Sequence, residues 1–353
     1  SVKILSSKDY YYQTTKQLNV NDRVIAQPRG KVLGGSSSIN AMAYVRGHAF
    51  DYDRWDAEIQ VGRPLPEFDD ASSAGEEARR RQAGSTPSRN TPRWDYAACL
   101  PYFRKAECYN GGHLEPGMDE RYVGLDGPLQ VRHGKTSVTA PLNEALIKAG
   151  REAGYPVTKD PNGYLQEGFG PMHMTVAPDG TRSSTANAYL REILHQRPNL
   201  TVWTEACVDR ILFDTSSTTT GLPPRAIGIR CTDGRESFLT TGGPNASEVI
   251  MSLGSIGSPH LLMLSGIGPR EHLEEVGINT LVDVQDVGAN LHDHLDTYIQ
   301  YECKQPTTLY PDATYPHRMA KSGVEWFGAG TGICASNHFE TGGFIRTAPG
   351  KRH

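Results

Sequence analysis

The chain has 353 residues, 37% hydrophobic and 22% charged, with a formal net charge of −4. That length fills one large or two ordinary domains, and the mild acidity gives no reason to expect nucleic acid or an anionic membrane surface as partner. No apolar run approaches a bilayer span, so no transmembrane segment is expected, and residues 1–20 lack signal-peptide architecture.

The cysteines Cys99, Cys108, Cys207, Cys231, Cys303 and Cys334 are scattered, with no CxxC pair and no Cys/His cluster. This pattern fits free core thiols in a reducing compartment better than a disulfide framework or a zinc site. Asn245-Ala246-Ser247 forms a glycosylation triplet, read here as a chance match.

In chain order, Val24-Ile25-Ala26 is a short strand candidate closed by Pro28-Arg29-Gly30. A loop rich in glycine and serine follows and leads into a helical stretch ending near Trp55. Residues 58–93, with Pro64, Pro66, Arg79-Arg80-Arg81 and Pro87 and almost no apolar periodicity, read as a flexible insertion. The arginine run reads as solvated. After Asp95-Tyr96 a helix is expected with Leu100, Tyr102 and Phe103 on its apolar side. Gly127 to Val131 reads as a turn entering a strand. Pro141 then opens an amphipathic helix with Leu142, Ala145, Leu146 and Ala149 at helical spacing and Gly154 as C-cap.

Ser183 to Leu194 reads as a further helix, stopped before Pro198. Two short strands are expected between Leu200 and Phe213, then a linker or hairpin loop over Thr215–Pro224. Ala226 to Ile229 and Glu248 to Met251 are strand-like, and the second runs into a glycine turn and helix at Gly254. This alternation implies an α/β sheet with a nucleotide at a strand's carboxyl end.

The most distinctive stretch is Gly30 to Asp53. Gly34 and Gly35 sit side by side before Ser36, Ser37, Ser38 and Asn40. Paired glycines permit positive φ and close backbone approach to a ligand. The hydroxyls and the amide supply short-range hydrogen bonds at a helix start that welcomes anions. By residues alone, this is either a cofactor cradle or a plain Gly/Ser turn.

Gly30, Asn40, Tyr44, Gly47 and Asp53 at these spacings resemble the first signature of the glucose–methanol–choline (GMC) oxidoreductases, FAD-dependent alcohol oxidisers. Gly254-Ser255-Ile256-Gly257-Ser258-Pro259, then Leu261-Leu262 and Ser265-Gly266-Ile267-Gly268, resembles the second. Within the family, Asn40 to His48, Asp95 through Lys105, Gly163 to Gly170 and Asn337 to Arg346 look most like the choline dehydrogenases.

The resemblance implies an α/β fold: an incomplete FAD-binding Rossmann-like domain interleaved with an α+β substrate domain on an antiparallel sheet. The FAD-binding parts would be residues 1–57 and 196–296, with cap and substrate parts at 94–195 and 297–353. Val32 and Asn40-Ala41-Met42 would contact the isoalloxazine and ribityl chain, with Gly34, Gly35 and Ser36 near the pyrophosphate. Val208 would hold adenine through its backbone. Ile39 stands where some relatives carry a histidine bonded to flavin, so FAD is expected to bind non-covalently.

His292 and His294 flank Asp293, but two ligands with no third are weak evidence for a metal; the resemblance implies a cofactor-supporting role instead. Glu340, beside Phe339, would face the trimethylammonium group of choline, since a quaternary ammonium is held by charge and aromatic faces. An ordinary surface or ion-paired glutamate is the alternative. Electrons would pass to a quinone or another carrier. Eukaryotic relatives imply a mitochondrial location, possibly with inner-membrane association; the cytoplasm is the other expectation.

Two family features have no match. No GxGxxG loop occurs, and no residue matches the histidine that accepts the hydroxyl proton, which is expected beyond residue 353. The chain is therefore expected to be an inactive interior fragment of a longer enzyme. The rivals are a GMC enzyme for another alcohol and a truncated non-redox paralogue.

Overall fold

The computed structural model describes residues 7–59, 93–134, 139–216, 223–240, 247–305 and 307–346. The chain divides into two compact units, Ser1–Leu200 with Glu302–His353, and Thr201–Tyr301. Helices and sheets alternate, and the fold is α/β.

In the first unit Tyr12–Gln13 (β1) pairs antiparallel with Ala26–Gln27 (β2). The regular strand therefore starts later than the expected Val24: the Ile25 carbonyl still accepts the Thr14 N–H, but the Ile25 N–H goes to Thr14 Oγ1 rather than to backbone. Ala43–Tyr44 (β3) leads to helix α1, Ala49–Ile59, which runs past Trp55. The expected insertion falls almost wholly on residues 60–92, outside the described residues.

Helix α2, Tyr96–Ala106, starts where Asp95 Oδ1 accepts the Ala98 N–H at 2.8 Å, an N-cap. Asp53 and Asp56 of α1 accept the Tyr96 and Trp94 N–H groups at 3.0 and 2.8 Å, so the two helices join through end groups that a helix start leaves open. Leu100 and Phe103 are half-buried, but Tyr102 is exposed, about 100° round the helix from Phe103.

Glu107–Tyr109 (β4) pairs parallel with Leu129–His133 (β5). Helix α3, Ala140–Glu152, ends near Gly154 at φ 89. Its expected apolar stripe faces outward: Leu142, Ala145, Leu146 and Ala149 are exposed, while Asn143, Ile147 and Gly150 turn inward. The Phe169 ring is the reason. It lies where a Gly150 side chain would collide, so the helix packs by its glycine edge.

Phe169 belongs to Gly168–Pro171 (β6), followed by His173–Met174 (β7). The central sheet runs β3-β7-β5-β4, antiparallel except for β4–β5. Tyr109, Val123 and Val131 form its apolar centre, with Tyr44, Met118, Leu125 and Leu129 against them. Beside that centre, buried Arg46 meets buried Glu107 at 2.7 Å, and each also binds backbone: Arg46 the Tyr122 carbonyl, Glu107 the Gly124 N–H. Ser183 to Leu194 forms only one π-helical turn, Ala186–Leu190, and further turns.

In the second unit Val208–Asp214 (β8), Arg225–Cys231 (β9) and Glu236–Phe238 (β10) form an antiparallel sheet in the order β10-β9-β8. A single strand thus replaces the two expected before Phe213. The middle of the expected linker, residues 217–222, lies outside the described residues, as does Asn245. Glu248 to Met251 is no strand: it has no ladder partner among the described residues, and Ile250 is exposed. Gly254–Leu264 (α4) packs on β8, where Ser265 Oγ accepts the Ile211 N–H at 2.9 Å. Ile267–Gly268 (β11), Arg270–Glu275 (α5) and Val282–Asp283 (β12) follow, with β11 and β12 parallel.

The first unit takes up the chain again with Tyr310–Thr314 (α6), Pro316–Ala329 (α7) and Thr341–Phe344 (β13), which pairs antiparallel with β6. All six cysteines are free, but only Cys108 and Cys231 are buried, so the expectation of core thiols holds for those two alone. Among the described residues no helix is long and apolar enough to cross a membrane.

Candidate functional site

The Gly30–Met42 loop is built from backbone outward. Gly34 and Gly35 stand at φ 85 and 54, the left-handed region that glycine enters without a Cβ penalty. Gly35–Ser38 then makes one 3-10 turn. Beneath it Gly30 packs so close to the Gly35 carbonyl that any side chain would collide.

The three serine hydroxyls brace the loop from within. Ser36 Oγ accepts the Gly30 N–H, Ser37 Oγ donates to the Gly34 carbonyl, and Ser38 Oγ donates to the Leu33 carbonyl. Val32, Ser36, Asn40 and Ala41 are exposed on the open side. Nothing lies within 4 Å of where a Gly35 side chain would point. That open cradle of backbone, glycine and hydroxyl groups fits the phosphate-bearing part of a flavin nucleotide.

Asn40 Oδ1 accepts the Met42 N–H at 3.0 Å and holds Met42 at φ 58. For a side chain of this kind, such a conformation costs about 1–2 kcal/mol. Thr175 N–H on the Met42 carbonyl and Asn337 Nδ2 on the Ala41 carbonyl, at 2.9 and 3.0 Å, tie the end of the loop down.

Asn337 opens the motif that carries Glu340. Glu340 is buried, at 4% exposure, and its carboxylate is held on both oxygens. Ser336 Oγ donates to Oε1 at 2.7 Å; Thr139 Oγ1 and Asn143 Nδ2 donate to Oε2 at 2.7 and 2.9 Å. The Met172 N–H takes the Glu340 carbonyl. Phe339, its neighbour, is 58% exposed.

The structure thus brings Val32, Gly34, Gly35, Ser36, Asn40, Ala41, Met42, Phe339 and Glu340 into the first unit, with Asn337 linking loop to motif. Val208 opens β8 in the second unit, opposite Cys231. His292 and His294 are exposed there in a segment without regular structure. Among the described residues no cluster of three or more His, Cys, Asp or Glu side chains is placed to hold a metal.

Several supporting residues escape sequence reasoning. Thr139 and Asn143 lie about 200 positions from Glu340, and Arg182 and Thr185 about 145 from the loop they contact. No local spacing signals such pairs.

The family model described as GMC oxidoreductase matches residues 8–78 and 86–296. Oxygen-dependent choline dehydrogenase of Escherichia coli O157:H7 is 42% identical over 339 residues, covering 96% of this chain and 52% of that protein. The enzyme of that name from Burkholderia multivorans (strain ATCC 17616 / 249) is 43% identical over 339 residues, covering 96% and 51%. Among solved structures, formate oxidase of Aspergillus oryzae RIB40, studied for FAD modification, matches with a TM-score of 0.72 at 25% identity, covering 97% of this chain and 52% of that one. Pyridoxine 4-oxidase from Mesorbium loti gives 0.59 at 29% identity, covering 79% and 45%.

The chain spans about half the length of the curated relatives it matches. Those relatives are bacterial and lend the mitochondrial expectation no support. On the family match and these identities, the chain belongs to the GMC oxidoreductase family.

Proposed function

We propose that this chain serves an FAD-dependent alcohol oxidoreductase whose substrate is choline, oxidised to betaine aldehyde. The observation that carries the reading is the Asn337 bridge, which sets the buried Glu340 carboxylate on the same scaffold as the open glycine cradle. Identity of 42% to choline dehydrogenases supports the substrate.

When bound, FAD supplies the hydride acceptor. The chain's own residues bind and orient. Ser36 offers its hydroxyl to the pyrophosphate, whose approach Gly34 and Gly35 leave clear of side chains, and Val32 and Asn40 to Met42 line the flavin side. Ile39 offers no nucleophile for a covalent link, so the flavin is held non-covalently. Val208 would present backbone groups to adenine. Glu340 supplies a fixed negative charge for the trimethylammonium group, with Phe339 as the aromatic neighbour. The relatives' name favours dioxygen as electron acceptor over the expected quinone.

A second reading draws on the same carboxylate. Three neutral donors already hold Glu340, as they would a glutamate that only braces α3 against β13. The substrate would then be an alcohol without an ammonium group.

The test is the visible spectrum of the purified chain after incubation with FAD, followed by titration with choline. Choline that perturbs the flavin bands of the wild type but not of Glu340→Gln supports the first reading. An equal response in both favours the second. Flavin uptake that Gly35→Ala leaves unchanged overturns the cofactor role of the loop.

A further inference from the structure

The cofactor loop is not held by its own hydrogen bonds alone. Arg182 Nη1 lies 3.2 Å from the Ser37 carbonyl, 2.8 Å from the Asn40 carbonyl and 2.8 Å from Asn40 Oδ1. The arginine is itself anchored, since its backbone bridges to Val176 and its carbonyl accepts Asn187 Nδ2 at 2.9 Å. Asn40 Oδ1 is the same atom that accepts the Met42 N–H. One guanidinium nitrogen therefore fixes the Asn40 amide and, through it, the left-handed turn at Met42.

A second tie sits earlier in the loop. Ser37 Oγ takes the Thr185 N–H at 2.9 Å and lies 3.0 Å from the Thr185 hydroxyl. Both ties come from one segment, so residues 182–185 back the loop from behind.

Among the described residues no carboxylate pairs with Arg182, and burial pushes its pKa down. Its charge is turned on neutral loop oxygens. A lysine ammonium would have to reach the same three oxygens from a head group of different length and shape.

We propose that Arg182 is the positioning residue of the cofactor loop: it holds Asn40 and Met42 in the one arrangement that takes up the flavin nucleotide. This rests on the flavin reading above, but the loop's order can be measured without flavin.

Amide hydrogen exchange of the purified chain is that measurement. In Arg182→Gln, residues 33–42 should exchange at least about tenfold faster, the loss of roughly one charged hydrogen bond, while Tyr109 and Val131 in the core keep wild-type rates. Arg182→Lys should fall between. FAD affinity, read by quenching of flavin fluorescence, should fall in the same order. If Arg182→Gln does not fold, Asn40→Ala, which removes the shared acceptor, carries the same comparison beside Arg182→Lys.

Loop exchange unchanged by these substitutions, or core exchange rising in step with it, overturns the proposal. A loop that loosens in a chain whose wild type takes up no FAD supports the positioning role and overturns the flavin reading. A wild type that binds FAD, with Arg182→Gln binding it equally tightly, overturns the role and leaves that reading standing.

Discussion

Asn337 Nδ2 donates to the Ala41 carbonyl at 3.0 Å, joining positions 296 residues apart, while its Oδ1 accepts the Phe339 N–H at 3.1 Å. One buried amide thus fixes the end of the cofactor loop and the start of the Glu340 motif together.

Asn337→Ala removes both bonds and should cost about 1–3 kcal/mol, the range for leaving polar groups without their partners. Asn337→Asp keeps the acceptor for Phe339 but turns a carboxylate oxygen on the Ala41 carbonyl at a buried position, so its cost should be larger. Urea unfolding of the two variants beside the wild type checks the order.

The Glu340 cluster yields a second ranking. Ser336→Ala takes one donor from Oε1 and should cost about 1.5–3 kcal/mol, as for hydrogen bonds to charged groups. Glu340→Gln should cost more, because its NH2 group must face either the Ser336 hydroxyl or the Thr139 and Asn143 donors. Melting temperatures of both variants decide it; a Gln variant as stable as wild type would show that the cluster does not require the carboxylate.

His173 makes stability depend on pH. Asn162 Nδ2 donates to its Nδ1 at 3.0 Å, which requires the neutral ring, and Asp160 Oδ1 stands 3.8 Å from Nε2, beyond hydrogen-bond reach. Burial first, then the neighbouring His133 and Arg46, hold its pKa well below 6.5. The unfolded chain therefore binds the extra proton below about pH 6.5, and the folded chain does not. This contribution is fully present above that pH and is lost as pH falls through it, by up to about 1.4 kcal/mol per pH unit. Urea midpoints between pH 7.5 and 5.5 should fall for the wild type, and less steeply for His173→Gln.

Two glycines of the loop should fail in different ways. Gly30→Ala drives a methyl into the Gly35 carbonyl and should unsettle the loop and the chain. Gly35→Ala meets nothing and carries only the left-handed penalty at φ 54, about 1–2 kcal/mol. Its methyl would instead occupy the space read as the cofactor's. Thermal stability and FAD uptake measured side by side should show Gly35→Ala losing flavin more than stability, and Gly30→Ala losing both.

The two GMC signatures were legible in the sequence because their chemistry is local. Gly34 and Gly35 can turn left-handed without a Cβ penalty, and Asn40 reaches Met42 within two residues. Strands at Leu129–His133 and Arg225–Cys231 and the helix opening near Pro141 were likewise readable, being set by nearest neighbours and period. Tertiary contact decided the rest. Helix α3 buries Asn143 and Gly150 rather than its leucines because Phe169 and Glu340 sit on that side. Glu248 to Met251 has strand-forming residues, but a strand exists only with a partner, and none pairs with it among the described residues. Arg182 looks like any polar residue before a helix until folding brings it to the Ser37 and Asn40 oxygens. Sequence patterns record what a residue does to its neighbours in the chain. Which distant group receives its hydrogen bond is fixed only when the chain has folded.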